Sequence, residues 1–310
     1  MIPAQFVDRL RLLFSTDDLG FTLDSFSSPE LLSIRINPFK SSLNEISSIF
    51  KAEGVLLHPV PWSEDVFVLE NIPRDVLSRH ALVSAGKIYQ QSLASMIPAV
   101  ILSAGPGEHV LDACAAPGSK TTQVAAMMKG QGTLIAVEAV KARFFRLRSV
   151  VELLGALNVS CKLCDIRRFK AGDDILFDRI LVDAPCSSEG RFRADDPKST
   201  GYWSLRKIKE MSFKQKGILM SASRLLKSGG VLVYATCTFA PEENEEVIDW
   251  FLRKSEGAFV LEPIELTGVP RTPCVTQWGR NAFSPEVMKC WRVKPDKKYT
   301  GFFVAKLRRA

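Results

Sequence analysis

One stretch constrains this chain more than any other: Val110-Leu-Asp-Ala-Cys-Ala-Ala-Pro-Gly-Ser-Lys-Thr-Thr-Gln-Val-Ala-Ala-Met-Met128. The apolar run Val110-Leu111 ending on Asp112 reads as a buried parallel strand. Ala113 to Ala116 and then Pro117-Gly118 are small enough to let a backbone turn approach a ligand closely. Ser119 is placed to cap a helix that runs on through Met128. Strand, small-residue turn and helix form a cofactor pocket at the carboxyl ends of the strands in an open α/β sheet. The turn contains neither G-x-G-x-x-G nor G-x-x-x-x-G-K-[ST], so a dinucleotide fingerprint and a P-loop are both excluded.

The chain around this stretch alternates strand and helix. After Gly130-Gln-Gly132, a strand is expected at Thr133 to Val137 closing on Glu138, and a helix from Lys141 to Leu154. Strands follow at Val159 to Cys164, Phe177 to Val182 and Val231 to Ala235. A helix is predicted from Ser204 to Leu226, and another from Pro241, with proline at its start, to Arg253. Phe302 to Leu307 reads as a late strand paired with Met288 to Val293. The predicted fold is a doubly wound, Rossmann-like sheet with a partly antiparallel end.

Ahead of it, Phe6, Leu10, Leu13 and Phe14 fall at near-helical spacing and mark residues 1–28 as an amphipathic helical lead. Leu31 to Asn37, Leu43 to Glu53, Val55 to Pro59 and Val66 to Leu69 predict a small α+β module, with Gly86 to Gln91 a turn into a helix over Ser92 to Ser103. The expected division is 1–28, 29–85 and 86–310. The small module carries Arg35, Lys40 and Lys51, so it serves either as an RNA contact or as a passive cap.

With 310 residues, 46% of them hydrophobic, the chain has room for a full core, and its net charge of +7 suits a polyanionic partner. Seven cysteines and an amino terminus unlike a signal peptide point to free thiols in a reducing, cytoplasmic setting. No apolar run approaches the ~20 residues of a membrane span. Three histidines without zinc-ligand spacing argue against a metal site. The lone Cys161-x-x-Cys164 lies in an alternating strand pattern and reads as strand packing.

Acids stand at successive strand ends: Asp112, Glu138, Asp165 and Asp183. Glu138, about twenty residues past the turn, is placed to take both hydroxyls of a ribose. With no phosphate-binding glycines beside it, the ligand is a nucleoside, and S-adenosylmethionine fits; Asp165 then reaches the adenine amino group. Two cysteines also sit at strand ends, in Asp183-Ala-Pro-Cys186-Ser and Thr236-Cys237-Thr. Thiolate addition to carbon 6 of cytosine turns carbon 5 into a nucleophile toward a methyl donor. Such a reaction needs a nucleophilic cysteine, an acid near ring N3 and a group that assists release. Asp183, Cys186 and Cys237 supply those types, without fixing which thiol attacks.

These pieces together resemble the NOP/Sun family of RNA cytosine-5 methyltransferases. The match rests on Asp112 to Gln123, Glu138 with Arg143, Asp183-Ala-Pro-Cys-Ser187, and Thr236-Cys237-Thr followed by Pro-Glu-Glu-Asn-Glu245. It rests also on Arg35-Ile-Asn37, Pro59-Val-Pro-Trp62 and Gly301 to Leu307. The resemblance implies a Rossmann-like methyltransferase domain with an RRM-like amino-terminal module, and S-adenosylmethionine as donor with S-adenosylhomocysteine as product. It implies that Cys114, Ala115, Ala116, Pro117, Gly118, Ser119 and Lys120 wrap the methionine part. Glu138 holds the ribose with Arg143 close by, Asp165 the adenine, and Asp183 the target cytosine. Cys237 is then the nucleophile, and Cys186 aids release.

Ser119 replaces the family's frequent glycine, and Ser188 stands where many members have glycine. Glu189-Gly-Arg-Phe-Arg193 and Thr238-Phe-Ala-Pro look similar to bacterial members acting on small-subunit ribosomal RNA. Those usually carry a further carboxy-terminal RNA-binding domain, whereas this sequence ends at Ala310. Tyr89 to Met96 looks nearer to short members acting on tRNA. Ribosomal RNA is the first expectation and tRNA the second. A DNA cytosine methyltransferase, with Cys186 as nucleophile, and a non-catalytic RNA-binding assembly factor are the competing classes. Arg191, Arg193, Arg206, Lys207 and Lys209 are expected to hold phosphates. Tyr89, Phe192 and Trp203 are candidates for base stacking or for core packing. A monomer with neither metal nor membrane contact is expected.

Overall fold

The computed structural model describes residues 2–28, 31–170 and 176–310. The lead is two helices, α1 (Ala4–Leu13) and α2 (Thr16–Ser25). They part at Phe14, and the Ser15 side chain accepts the Asp18 N–H to start the second. Residue 29, the expected start of the small module, lies outside the described residues.

The module is built from β1 (Leu32–Ile36), α3 (Leu43–Ala52), β2 (Leu56–Val60), β3 (Ser63–Glu70), two short helices, α4 (Arg74–Arg79) and α5 (Ala81–Ser84), and β4 (Ile88–Gln90). Its strands form an antiparallel sheet in the order β2-β3-β1-β4. Residues 88–90 were expected in a turn. They are a strand instead, because Ile88 is buried and pairs with Ile36, sealing the second edge of β1.

The large sheet contains, in chain order, β5 (His109–Asp112), β6 (Thr133–Glu138), β7 (Val159–Leu163), β8 (Phe177–Asp183), β9 (Leu226–Thr236), β10 (Phe259–Glu262), β11 (Arg271–Thr272), β14 (Trp291–Val293) and β15 (Phe302–Arg309). A separate two-stranded hairpin, β12 (Gln277–Trp278) with β13 (Asn281–Ala282), lies off it. The helices are α6 (Leu93–Leu102), α7 (Ser119–Met127), α8 (Lys141–Leu154), α9 (Leu205–Ser223) and α10 (Glu245–Lys254). The order is β11-β14-β15-β9-β8-β5-β6-β7, parallel from β9 to β7 and antiparallel at β15, as a doubly wound sheet with an antiparallel end requires. The sheet core, with Val110, Leu134, Leu181 and Val233 fully buried, is apolar on both faces.

Three boundaries differ from expectation. Helix α9 stops at Ser223 because buried Leu226 already pairs with Phe177 of β8. Helix α10 starts at Glu245, not Pro241. Asn244 turns inward, donating to Thr238 O at 2.9 Å and accepting from Thr236 Oγ1 at 2.6 Å. Gly118, not Ser119, is the residue before α7; its φ of +108° excludes most side chains, and Ser119 makes no cap.

The small module is locked to the large sheet by its family-like motifs. Arg35 is 1% exposed, donates to Thr122 Oγ1 at 3.0 Å and packs under the Tyr89 ring. Asn37 donates to Gly86 O at 2.7 Å and to Leu154 O at 2.9 Å. Trp62 Nε1 donates to Tyr299 Oη at 2.9 Å. Arg35 is thus a joint between the layers, not an RNA contact.

Candidate active site

Two loops at the carboxyl ends of β8 and β9 bring the cysteines together. Because the strands are parallel neighbours, Asp183 lies opposite Ala235, and Ala184 N donates to Ala235 O at 2.9 Å. Cys186 Sγ then stands 3.3 Å from Cys237 Sγ, though 51 residues separate them in sequence. Ser188 Oγ lies 3.6 Å from Cys237 Sγ and 4.0 Å from Cys186 Sγ. Its φ of +60° turns the chain beneath the pair. Gly190 N donates to Cys237 O at 2.9 Å; a Cβ at Gly190 would meet Gly301 O at 2.1 Å, so only glycine permits this approach.

The two thiols titrate apart. The hydrogen bond from Cys186 brings Cys237 down to about 7, helped by the Arg191 charge and the Ser188 hydroxyl against burial and Asp183. Cys186, as donor and buried, is pushed up. Of the two thiols, Cys237 is therefore the more readily ionised.

Asp183 is the acid beside this pair. Its Oδ2 accepts from Lys120 Nζ at 2.6 Å, and Lys120 also donates to Ser95 Oγ at 2.9 Å. Lys120 is 6% exposed and lies over the Phe302 ring. The signature turn and the Pro-Cys strand thus share one ion pair, which joins the donor pocket to the thiols.

The donor side is the edge of β5, β6 and β7. Ala113, Ala115 and Ala116 are buried, Cys114 is half-buried, and Pro117 is exposed. Burial and the neighbouring carboxylates raise the Cys114 thiol. A Cβ on Gly118 would meet Leu147 and Val150 at 3.2 Å. Glu138 is 4% exposed; its Oε1 accepts from Val140 N at 2.8 Å, and Arg143 Nη1 lies 3.5 Å from Oε2. Arg143 also donates to Ala116 O at 2.6 Å, which ties α8 to the turn. Asp165 lies two residues beyond β7 and heads a short 3-10 turn. Arg167 grips both its oxygens and holds its pKa down to about 2. Asp112 was grouped with these acids, but it points into the core. It accepts from Thr121 Oγ1 at 2.7 Å, and burial pushes it up to about 7. A cradle of small residues, a buried acid at a strand end and no phosphate nest fit S-adenosylmethionine.

The expected phosphate contacts divide. Arg191, Arg206 and Lys209 are exposed, while Lys207 pairs with Glu210 at 2.9 Å. Arg193 is committed within the chain, to Asp195 and to Ser28 O. Phe192 is a core residue, and half-buried Trp203 packs against the same cluster. Phe192 is 2% exposed, 4.9 Å from the Phe6 ring, and Trp203 Nε1 donates to Glu189 at 2.8 Å. The lead helices supply the other side of this cluster, since Phe6 and Phe14 also reach Phe239, two residues past Cys237. Half-buried Tyr89 faces Arg35.

Sequence reasoning missed the buried polar layer under the thiols: Glu189, Gln215, Glu243, and the ion pair of Arg292 with Glu245. The pair is bidentate, at 2.6 Å and 2.5 Å, and Arg292 also donates to Phe239 O at 2.8 Å. The run Pro-Glu-Glu-Asn-Glu245 carried a signal, since a helix start so rich in acid and 0% exposed at Glu243, Asn244 and Glu245 must face partners. Their partners lie far off in sequence.

The family model described as 16S rRNA methyltransferase RsmB/F matches residues 99–308, and that of the N-terminal domain of 16S rRNA methyltransferase RsmF matches residues 2–93. The chain belongs to the RsmB/F methyltransferase family, the NOP/Sun group. It is an S-adenosylmethionine-dependent enzyme. A tRNA (cytosine(49)-C(5))-methyltransferase of Pyrococcus abyssi (strain GE5 / Orsay) is 39% identical over 280 residues, 89% of this chain and 88% of that protein. Ribosomal RNA small subunit methyltransferase F of Vibrio vulnificus (strain YJ016) is 34% identical over 315 residues. That match takes in 99% of this chain but 64% of the relative, so the chain spans less than two thirds of it. The crystal structure of a methyltransferase homolog protein from Pyrococcus horikoshii superposes with a TM-score of 0.80 at 30% identity, covering 100% of both chains. Among the described residues no helix is long and apolar enough to cross a membrane, and no cluster of three or more His, Cys, Asp or Glu is arranged to hold a metal ion.

Proposed function

We propose that this protein is an RNA cytosine-5 methyltransferase that works through a covalent cysteine–carbon 6 adduct. The carrying observation is the thiol pair at 3.3 Å beside Asp183 and Lys120. Cys237 Sγ, as thiolate, adds to carbon 6 of the cytosine. Asp183, its Oδ2 held by Lys120 Nζ, carries a proton toward ring N3 and draws the electron pair onto carbon 5. S-adenosylmethionine, when bound, supplies an electrophilic methyl group on a sulfonium. Once carbon 5 carries the methyl group, a base takes its proton, the electron pair re-forms the carbon 5–carbon 6 double bond and Cys237 leaves as thiolate; Cys186 Sγ beside it aids that release. Cys114 to Lys120 hold the methionine portion, Glu138 and Arg143 the ribose side, and Asp165 the adenine.

Small-subunit ribosomal RNA is the proposed substrate, supported by the match to the RsmF amino-terminal domain and by the relatives named for that substrate. A tRNA is the second reading, favoured by the relative at 39% identity and nearly equal length. The proposed protein is monomeric and cytoplasmic, with a lead at 1–28, a module at 29–85 and a catalytic part at 86–310. Bisulfite sequencing of RNA from cells with and without the gene tests the function. One protected cytosine lost from 16S RNA, and regained with wild type but not with Cys237→Ala, is the expected result. A lost site in tRNA alone selects the second reading, and methylation that survives Cys237→Ala refutes the adduct.

A further inference from the structure

Two buried glutamates outside the expected catalytic set cross between the cysteine loops. Glu189, three residues past Cys186, is 1% exposed. Its Oε2 accepts from Thr238 Oγ1 at 2.8 Å and from Phe239 N at 3.0 Å, just past Cys237. Its Oε1 accepts from Trp203 Nε1 at 2.8 Å. Glu243, six residues past Cys237, is 0% exposed. Its Oε2 accepts from Ser187 N at 3.0 Å, next to Cys186, and from Gln215 Nε2 at 2.8 Å. Gln215 Nε2 also donates to Pro185 O at 2.9 Å, on the other side of Cys186. Each loop therefore sends one carboxyl group to the backbone of the other. Ser187 Oγ and Thr238 Oγ1 close the seam at 2.7 Å.

Burying a carboxyl group costs free energy that an apolar side chain would not. Two such groups in reciprocal places argue for a geometric task. We propose that Glu189 and Glu243 are positioning residues that hold the two thiols at their reacting separation. The inference rests on the two-thiol reaction proposed above and adds to it the parts that set its geometry.

The two clamps are unequal in chemistry. Glu189 accepts on both oxygens, so a glutamine there must turn its amide N–H against a donor: Trp203 on one side, or Thr238 and Phe239 on the other. Glu243 accepts on Oε2 alone, and its buried Oε1 has no partner. Glutamine at 243 keeps the acceptor where it is used. Burial pushes Glu243 up to about 8, toward the neutral form that glutamine resembles.

The test reads thiol separation directly, on the full chain without RNA. Diamide takes two electrons and two protons from a thiol pair, becoming the hydrazine and leaving one S–S bond. Peptide mapping then gives the rate at which Cys186 and Cys237 link. Single-turnover methyl transfer, RNA KM and donor affinity are measured beside it. Glu189→Gln and Glu243→Ala are expected to slow both linkage and methyl transfer about tenfold or more, the scale of one buried hydrogen bond lost. Donor affinity and RNA KM should stay within about twofold, and Glu243→Gln should match wild type in every reading. Gln215→Ala, which removes the link from Glu243 to Pro185, should show a smaller slowing and serves if Glu243→Ala does not fold. Unchanged linkage in Glu189→Gln and Gln215→Ala overturns the proposal, as does a Glu243→Gln as slow as Glu243→Ala. If the wild type methylates no RNA, the proposed function fails, while the linkage rates still decide the positioning.

Discussion

The two halves of the ligand edge use the same residue type in opposite ways. On the β6–β7 side, carboxylates sit at strand ends beside arginines: Glu138 with Arg143, and Asp165 with Arg167. Asp165 is partly open, and its guanidinium partner holds its pKa down to about 2. On the β8–β9 side, Glu189 and Glu243 lie under the thiols without a cationic partner in contact, and burial drives both up. Carboxyl groups held beside arginines suit a pocket that takes hydroxyl and amino donors from a nucleoside. Carboxyl groups buried away from guanidinium groups, with their acceptor oxygens bonded to the backbone and side chains of the opposite loop, suit a framework that fixes two sulfur atoms.

The sharpest way to break this contrast is Cys237→Ala. It should lower methyl transfer by about a thousandfold or more while donor affinity, measured by calorimetry, is unchanged. A parallel loss of donor binding would mean the two halves are one site. Glu138→Ala is the reverse case, with donor affinity falling roughly ten- to a hundredfold as hydrogen bonds to a charged acceptor are lost. Thiol linkage by diamide should be untouched there.

Stability separates the halves too. Arg292→Ala leaves Glu245 buried and uncompensated and should cost about 3–5 kcal/mol in denaturant unfolding, whereas Arg143→Ala, removing an exposed partner, should cost under about 1 kcal/mol. The last contrast is in pH. Glu243 has a folded pKa of about 8, raised from 4.5 by burial, so the folded protein keeps a proton that the unfolded chain gives up. Its contribution is complete below the lower value and is lost as pH rises through the higher one. Melting temperature should therefore fall from pH 5 to pH 8, with a shallower slope in Glu243→Gln. Donor binding, resting on ionised Asp165, should stay flat over that range, while single-turnover methyl transfer should rise through about pH 7 as Cys237 ionises.

The donor side was the more legible in sequence because its parts are contiguous. Strand, turn and helix run from Val110 to Met127, and Glu138 follows at the next strand end, so local periodicity and small residues suffice to place them. The thiol side was legible only as two separate motifs. Some residues carried two readings in the sequence, and contacts made in the fold decide between them. Arg35, Phe192 and Trp203 are turned inward onto Thr122, Phe6 and Glu189, and Asp112, grouped with the strand-end acids, is turned inward onto Thr121.

What the sequence determined by itself is the sheet, its ligand edge and the inventory of reacting groups, since hydrophobic period and strand-end position are properties of short segments. Only the tertiary structure decided which groups meet. The 3.3 Å between sulfurs, the ion pair of Lys120 with Asp183 and the crossed glutamates all join residues 28 or more positions apart. Their hydrogen bonds exist only once β5, β8 and β9 lie side by side, and no local pattern records that alignment.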